Sequence, residues 1–108
     1  MADFSQTLAR LEATLKARAG ADPASSYTAK LLAGGPALAG KKFGEEAVET
    51  VIAAMSGDKD AIAAESADLI YHWLVLLQAC GVETSAVAEK LAAREGQSGI
   101  AEKAGRPK

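Results

Sequence analysis

The sequence has few residues that cross-link a chain or bind soft metals. Among its 108 residues there is one cysteine, Cys80, and one histidine, His72. A lone cysteine excludes a disulfide within the chain and fits a reducing compartment. One cysteine and one histidine also cannot supply the ligand set of a typical zinc site. These absences argue against a disulfide-stabilised secreted scaffold and against a zinc protein.

Aromatic residues and long apolar runs are scarce too. Only 5% of residues are aromatic although 49% are hydrophobic, a balance that favours closely packed helices over a β-sandwich. The most apolar stretch, residues 69–80, is too short to span a bilayer, and no apolar run after a charged start predicts a signal peptide. We therefore expect a soluble cytoplasmic protein without a membrane partner.

Charge of one sign is not concentrated anywhere in the chain. Twelve basic and fourteen acidic residues give a net charge of −2, and no basic block is present. Proteins that bind nucleic acid usually carry such a basic block or stripe. The sequence therefore predicts no nucleic-acid partner.

The spacing of apolar residues predicts an all-α bundle of four main helices plus a short helix. The main helices are predicted at about 3–19, 36–55, 59–80 and 85–94, and the short helix at 27–32. Thr84 is the predicted N-cap of the last helix, which should turn Leu91 inward. We expect residues 1–95 to form one helical domain and 96–108 a polar C-terminal tail. The side chains predicted to face the core of the bundle include Phe43, Ala47, Val51, Ala54, Trp73 and Cys80.

Two pairs of acidic residues point to a metal site. Glu46 and Glu49 are three residues apart on one predicted helix, and Glu65 and Asp68 are three apart on the next, so each pair shares a helical face. With Glu45, four or five carboxylates should converge near the helix–helix seam. Carboxylates at close range repel one another unless a cation compensates them, and their hard oxygens suit Mg²⁺. The competing interpretation is a solvated acidic face on a helical interaction module.

Two further residues lie one helical turn from these acids. Lys42 precedes Glu46 by four positions and could contact a phosphate beside the metal, or simply balance charge on the helix surface. His72 follows Asp68 by four positions. A single histidine in this setting is typical of a structural hydrogen-bonding residue.

Three segments then identify a family. They are Ser26-Tyr27-Thr28-Ala29-Lys30-Leu31, Lys42-Phe43-Gly44-Glu45-Glu46-Ala47-Val48-Glu49 and Glu65-Ser66-Ala67-Asp68-Leu69-Ile70-Tyr71-His72. Together with the run at 96–103, they resemble the phosphoribosyl-ATP pyrophosphatases, which belong to the MazG-like all-α nucleotide pyrophosphohydrolases. The resemblance covers nearly the whole chain. It departs from the family at 36–40, where relatives commonly carry a basic residue.

The resemblance implies an activity and roles for the acidic residues. The reaction is hydrolysis of phosphoribosyl-ATP to phosphoribosyl-AMP and pyrophosphate, the second step of histidine biosynthesis, by Mg²⁺-dependent attack of water between the α and β phosphates. Mg²⁺ would be held by Glu46, Glu49, Glu65 and Asp68. Glu45 would be a further ligand or the base, which makes Glu45, Glu46 and Glu49 the catalytic candidates.

The substrate and the oligomer complete this set of expectations. The substrate is a small-molecule nucleotide, and the residues predicted to contact it are Lys42, Tyr27, Lys30 and Arg94. Apolar residues on more than one side of the 59–80 helix also predict a homodimer, or a higher even assembly, with the active site at or near the subunit seam. Trp73 and Leu77 are the interface candidates.

Two other functions remain compatible with the residues. One is a MazG-like housecleaning enzyme that hydrolyses ordinary or damaged NTPs or dNTPs. The other is a non-catalytic helical dimerisation module. Turnover of free nucleotides would distinguish the first, and an absence of any divalent-metal effect on melting would distinguish the second.

Overall fold

The computed structural model describes residues 1–96, and within that range the chain forms five helices and no strand. The helices are α1 (Phe4–Arg18), α2 (Tyr27–Ala33), α3 (Gly35–Ser56), α4 (Lys59–Ala79) and α5 (Thr84–Ala92). The prediction of an all-α fold with four main helices and one short helix is confirmed. The predicted tail, 96–108, lies outside the described residues apart from Gly96.

Local capping explains where most of these helices begin. The side chains of Asp3, Ser26 and Asp58 accept hydrogen bonds from backbone N–H groups in the first turns of α1, α2 and α4. Such caps satisfy donors that the helix itself leaves unpaired. Between α3 and α4, Gly57 adopts φ = +75°, a conformation that costs glycine little. These sequence-local signals placed the bounds of α1 to α4 within about two residues.

The start of α5 differs from the prediction. Thr84 does not cap the helix, because Glu83 occupies the N-cap position. The backbone N–H and the hydroxyl of Thr84 instead donate to the carboxylate of Glu12 on α1, at 3.0 and 2.6 Å. Leu91 was predicted to face inward but is 59% exposed. A contact across 72 residues, which local sequence patterns do not reveal, therefore sets the position of α5.

The core lies where α1, α2 and α3 meet α4. Its buried side chains are Leu15, Leu31, Ala39, Leu74 and Val75. The Gly57–Asp58 turn is short, so α3 and α4 run antiparallel and side by side. Cys80 was predicted to be buried, but it is exposed because it stands at the C-cap of α4, beyond the packed part of the bundle.

One face of α3 is apolar and open. Val48, Val51, Ile52 and Met55 are 59%, 60%, 63% and 79% exposed, and their spacing puts them on one side of the helix. We call these four residues the α3 stripe. Val51 and Ala54 were predicted to face the core, but Ala39 and Ala53 are the buried residues of α3. Among residues 1–96, no helix combines the length and the apolar character needed to cross a membrane.

The contact between Glu12 and Thr84 yields a prediction for stability. The hydrogen bond from the Thr84 hydroxyl is the main reason that the pKa of Glu12 is lower than its usual 4.5. A carboxylate with a lowered folded-state pKa stabilises the fold above the unfolded pKa, and this contribution is lost as the pH falls through the folded value. We expect Glu12→Gln to lower the free energy of unfolding by about 1 kcal/mol at pH 7, and by less in acid.

Urea unfolding at pH 7 and at pH 3 would measure this difference. Glu89→Gln, which changes an exposed glutamate on α5, is the matched control and should behave like wild type at both pH values. A deficit in Glu12→Gln that is equal at the two pH values would contradict the assignment.

Candidate metal and active site

A threonine hydroxyl joins the two helices that carry the acidic residues. Thr50 Oγ1 on α3 lies 2.8 Å from the carbonyl oxygen of Glu46 and 3.2 Å from that of Glu65 on α4. The hydroxyl can donate to either carbonyl, so it holds the two backbones at this level of the hairpin. Sequence reasoning missed Thr50. The available signal was its position four residues after Glu46, on the same face of α3.

Three carboxylates meet beside this contact. One oxygen from each of Glu46, Glu49 and Glu65 can be chosen so that all lie within 4.8 Å of one another. Glu46 and Glu65 are half-buried, whereas Glu49 is exposed. The predicted convergence of acids from two helices is therefore observed for these three residues.

Each half-buried member of the cluster has an oxygen without a partner. Within the described part of the chain, the Oε2 atoms of Glu46 and Glu65 are buried and make no hydrogen bond. An unpaired buried carboxylate oxygen is costly, because the water that solvated it is not replaced. These atoms would be satisfied by a cation or by a protonated neighbour.

The pKa values of Glu46 and Glu65 also indicate that ionised carboxylates are unfavourable in the cluster. Burial raises the pKa of Glu46, and the nearby carboxylate of Glu49 raises it further. Burial is also the largest cause of the raised pKa of Glu65, again followed by Glu49. In both residues the protein environment disfavours the ionised carboxylate, which is the form that binds a metal.

The residues present fit a hard divalent cation. Their donors are carboxylate oxygens from two adjacent helices, and two of those oxygens are buried without partners. Mg²⁺, Mn²⁺ and Ca²⁺ prefer oxygen ligands of this kind. Zinc sites usually contain histidine or cysteine, which this cluster lacks.

The remaining predicted acids lie around the cluster. Asp68 is exposed and is not one of the three converging residues, but its charge raises the pKa of both Glu46 and Glu65. Asp68 is therefore close enough to act on the cluster electrostatically. Glu45 is also exposed, and its Oε2 lies 3.6 Å from the Nζ of Lys42. A surface pair of this kind contributes little stability, so both side chains can change partners.

An aromatic network borders the acids on the side of α2. His72 is buried, and its Nε2 lies 3.0 Å from the hydroxyl of Tyr27. Thr28 Oγ1 lies 2.6 Å from the hydroxyl of Tyr71, and the rings of Tyr27 and Tyr71 stack with their centroids 6.2 Å apart. Sequence reasoning predicted a structural hydrogen bond for His72 but did not identify its partners. The adjacent Tyr71-His72 pair was the visible signal.

Tyr27 connects this network to the charged residues. The residue is 51% exposed, and burial of its phenol is the largest cause of its raised pKa. Lys42 lowers that pKa while Glu46 and Glu45 raise it, so the phenol lies within electrostatic reach of all three. Tyr27 and Lys42, both predicted to contact the substrate, are therefore at the edge of the acid cluster.

The other two residues predicted to contact substrate are placed differently. Lys30 is exposed on α2, the helix that carries Tyr27. Arg94 follows α5, which is held to α1 by the Glu12–Thr84 contact rather than to the α3–α4 seam. Beside Tyr27 there is an open groove of about 500 Å³, whose lining includes Arg18, Ser25, Ser26, Thr28 and Tyr71.

Comparison with known proteins identifies relatives over nearly the full length of the chain. Residues 8–95, which include every predicted site residue, match the family model described as phosphoribosyl-ATP pyrophosphohydrolase. A protein from Caulobacter sp. strain K31 is 64% identical over 99% of both chains, and one from Caulobacter vibrioides strain NA1000 / CB15N is 68% identical over 95% of both. One from Methylobacterium radiotolerans is 61% identical over 93% of this chain and 94% of its own. All three relatives are named phosphoribosyl-ATP pyrophosphatase.

Proposed function

The chain belongs to the phosphoribosyl-ATP pyrophosphohydrolase family, and on that premise we propose that it hydrolyses phosphoribosyl-ATP to phosphoribosyl-AMP and pyrophosphate. This reaction is the second step of histidine biosynthesis, and we place it in the cytoplasm. The observation that supports the proposal is the convergence of Glu46, Glu49 and Glu65 at the α3–α4 seam within a full-length family match.

We propose that Mg²⁺ is the cofactor and that Glu46, Glu49, Glu65 and Asp68 hold it. The Oε2 atoms of Glu46 and Glu65 are buried without a hydrogen-bond partner, which supports the assignment of these two residues as ligands. Asp68 is included because its charge acts on Glu46 and on Glu65. Mg²⁺ is usually bound by a few carboxylates together with water and substrate phosphates, so Asp68 can be a ligand although it lies outside the group of three converging carboxylates. When bound, Mg²⁺ would neutralise negative charge on the phosphate oxygens of the substrate.

The residues around the cluster would act on the water and the substrate. The oxygen of a water molecule would form a bond to one of the two phosphorus atoms that flank the α–β bridging oxygen, the bond from that phosphorus to the bridging oxygen would break, and phosphoribosyl-AMP and pyrophosphate would separate. Glu45 is the candidate base for the proton of that water, or a further ligand, because it is exposed at the edge of the cluster. Lys42, close to Glu45, would bind a phosphate oxygen and stabilise its developing charge.

Tyr27, Lys30 and Arg94 are proposed to bind other parts of the substrate. Tyr27 is exposed and lines the open groove, and the charge of Lys42 acts on its phenol, so it can contact the nucleoside next to the reacting phosphate. Lys30 is on the same short helix. Arg94 follows α5, which packs on α1 through the Glu12–Thr84 contact.

Release of pyrophosphate from phosphoribosyl-ATP, ATP and dCTP, each with Mg²⁺ and with EDTA, tests the function. We expect turnover of phosphoribosyl-ATP alone, and only with Mg²⁺. Preferential turnover of ATP or dCTP would instead indicate a housecleaning enzyme. No turnover of any substrate would indicate a non-catalytic module.

We also propose that the chain forms a homodimer through the α3 stripe. Contiguous exposed apolar residues of this kind usually mark an association surface. Trp73, a predicted interface residue, is half-buried and packs against the core, and Leu77 is half-buried, so the stripe on α3 is the better candidate. Glu49 is exposed and three residues before Ile52, so a partner seated on the stripe would lie next to the acid cluster.

Substitution in the stripe should separate the subunits. We expect light scattering to give a dimer of about 22 kDa for wild type, twice the 11.0 kDa chain, and a monomer for Ile52→Asp. The reason is that a buried unpaired carboxylate at an apolar interface is strongly unfavourable. Leu91→Asp, which alters an equally exposed apolar residue on α5, is the control and should remain dimeric. A wild-type monomer with full activity would refute the proposal.

A further inference from the structure

We propose that His72 is a positioning residue that holds the hydroxyl and ring of Tyr27 in place to contact the nucleoside part of the substrate. This inference rests on the proposed function, since it concerns how the substrate of that reaction is bound. It gives a role to a buried polar side chain that makes two defined hydrogen bonds and that the mechanism proposed above does not use.

The hydrogen bonds of His72 determine which ring nitrogen carries a proton. Nδ1 lies 2.7 Å from the backbone carbonyl oxygen of Asp68, which can only accept, so Nδ1 must be the donor. In the neutral ring Nε2 then has a free lone pair, directed at the Tyr27 hydroxyl 3.0 Å away. With the ring neutral, the hydroxyl donates to His72, and its oxygen remains free to accept a hydrogen bond from a ligand.

The imidazole is held firmly enough to fix the position of a group that bonds to it. It is 6% exposed, and its ring makes edge contacts with Tyr27 and Tyr71, with centroid separations of 5.9 and 5.1 Å. It stands one turn after Asp68 on α4, the helix that also carries Glu65. A group fixed by His72 is therefore fixed relative to the acid cluster.

Tyr27, by contrast, depends on outside contacts for its orientation. It is the first residue of α2, a seven-residue helix that is too short to be stable alone. Tyr27 is about half exposed and lines the groove, while its hydroxyl reaches inward to His72. Without that bond the phenol could turn away from Lys42 and Glu46, and small displacements of this kind cost binding and rate.

A double-mutant cycle tests whether His72 acts through Tyr27. The variants are His72→Leu, Tyr27→Phe, the double variant and His72→Gln, whose side-chain oxygen can again accept from Tyr27. For each, kcat and KM for phosphoribosyl-ATP would be measured with Mg²⁺. The dissociation constant of the product phosphoribosyl-AMP would be measured by calorimetry in EDTA, so that binding is read without turnover.

We expect His72→Leu and Tyr27→Phe each to raise KM and the dissociation constant about tenfold, with kcat within about twofold of wild type. The double variant should be no worse than the more affected single variant, since both remove the same contact. His72→Gln should recover most of the lost affinity. Tyr27→Phe removes only a hydroxyl from a half-exposed ring, so it remains informative even if His72→Leu folds poorly.

Gln78→Met is the matched control. It removes another hydrogen bond from α4 to a neighbouring helix, from Gln78 Nε2 to the carbonyl of Leu15 at 3.3 Å, and should leave KM unchanged. Three results would refute the role of His72 without contradicting the proposed function. They are additive effects in the cycle, a wild-type KM for Tyr27→Phe, and an equal loss of affinity in Gln78→Met. An inactive wild-type enzyme would refute the proposed function and this inference with it.

Discussion

Glu49→Gln is expected to lower kcat/KM for phosphoribosyl-ATP by more than about a hundredfold. Glu49 is proposed to bind the metal directly, and the loss of a residue that only supports a metal ligand already costs about 10–100-fold in affinity or activity. One oxygen of Glu49 lies within 4.8 Å of an oxygen of Glu46 and of an oxygen of Glu65, and its carboxylate raises the pKa of both residues. Its side chain is exposed, so the substitution should leave the helices intact. Steady-state kinetics together with circular dichroism would separate lost activity from lost fold.

Glu89→Gln provides the comparison for this experiment. It makes the same chemical change at an exposed glutamate on α5, outside the cluster, and should retain wild-type kinetics. Asp68→Ala should also lose activity, while Thr50→Val would show whether the α3–α4 bridge is needed to align the carboxylates. Near-normal turnover by Glu49→Gln would remove this residue from the site.

The second large effect concerns stability and depends on magnesium. In EDTA, Glu46→Gln should melt a few degrees higher than wild type, because the substitution removes a half-buried charge from among like charges. With Mg²⁺ at a hundred times its dissociation constant, wild type should gain about 2.7 kcal/mol by ligand linkage. The variant should gain less, since it has lost one ligand.

Thermal melts in EDTA, in MgCl₂ and in NaCl of matched ionic strength would measure these changes. The NaCl arm separates specific binding from screening of the repulsion, which any salt provides. Glu89→Gln should follow wild type in all three conditions. If wild type and Glu46→Gln respond equally to Mg²⁺, Glu46 is not a ligand.

Errors in the sequence-based prediction share a physical origin. The spacing of apolar residues in α3 showed that the helix has an apolar side. It did not show which side of the helix packs against α4, so Val51 was predicted to face the core but is exposed. The same limitation affected Leu91 and Cys80. Burial depends on what lies opposite a residue, and an amphipathic pattern contains no information about its partner.

Helix bounds and the acidic pairs follow from short stretches of sequence. Capping residues such as Asp3, Ser26 and Asp58 act within one turn, and the i,i+3 spacing of Glu46 with Glu49 is a property of the helix alone. Both kinds of feature are local, so they can be read before the chain is folded.

Which groups meet depends on how the helices pack. It brought Glu65 from α4 to Glu46 and Glu49 on α3, left Asp68 just outside, and paired Tyr27 with His72 across 45 residues. It also directed Thr84 to Glu12 instead of to its own helix. These contacts depend on the rotation and register of one helix against another, which are set by packing of the whole core and not by any local pattern.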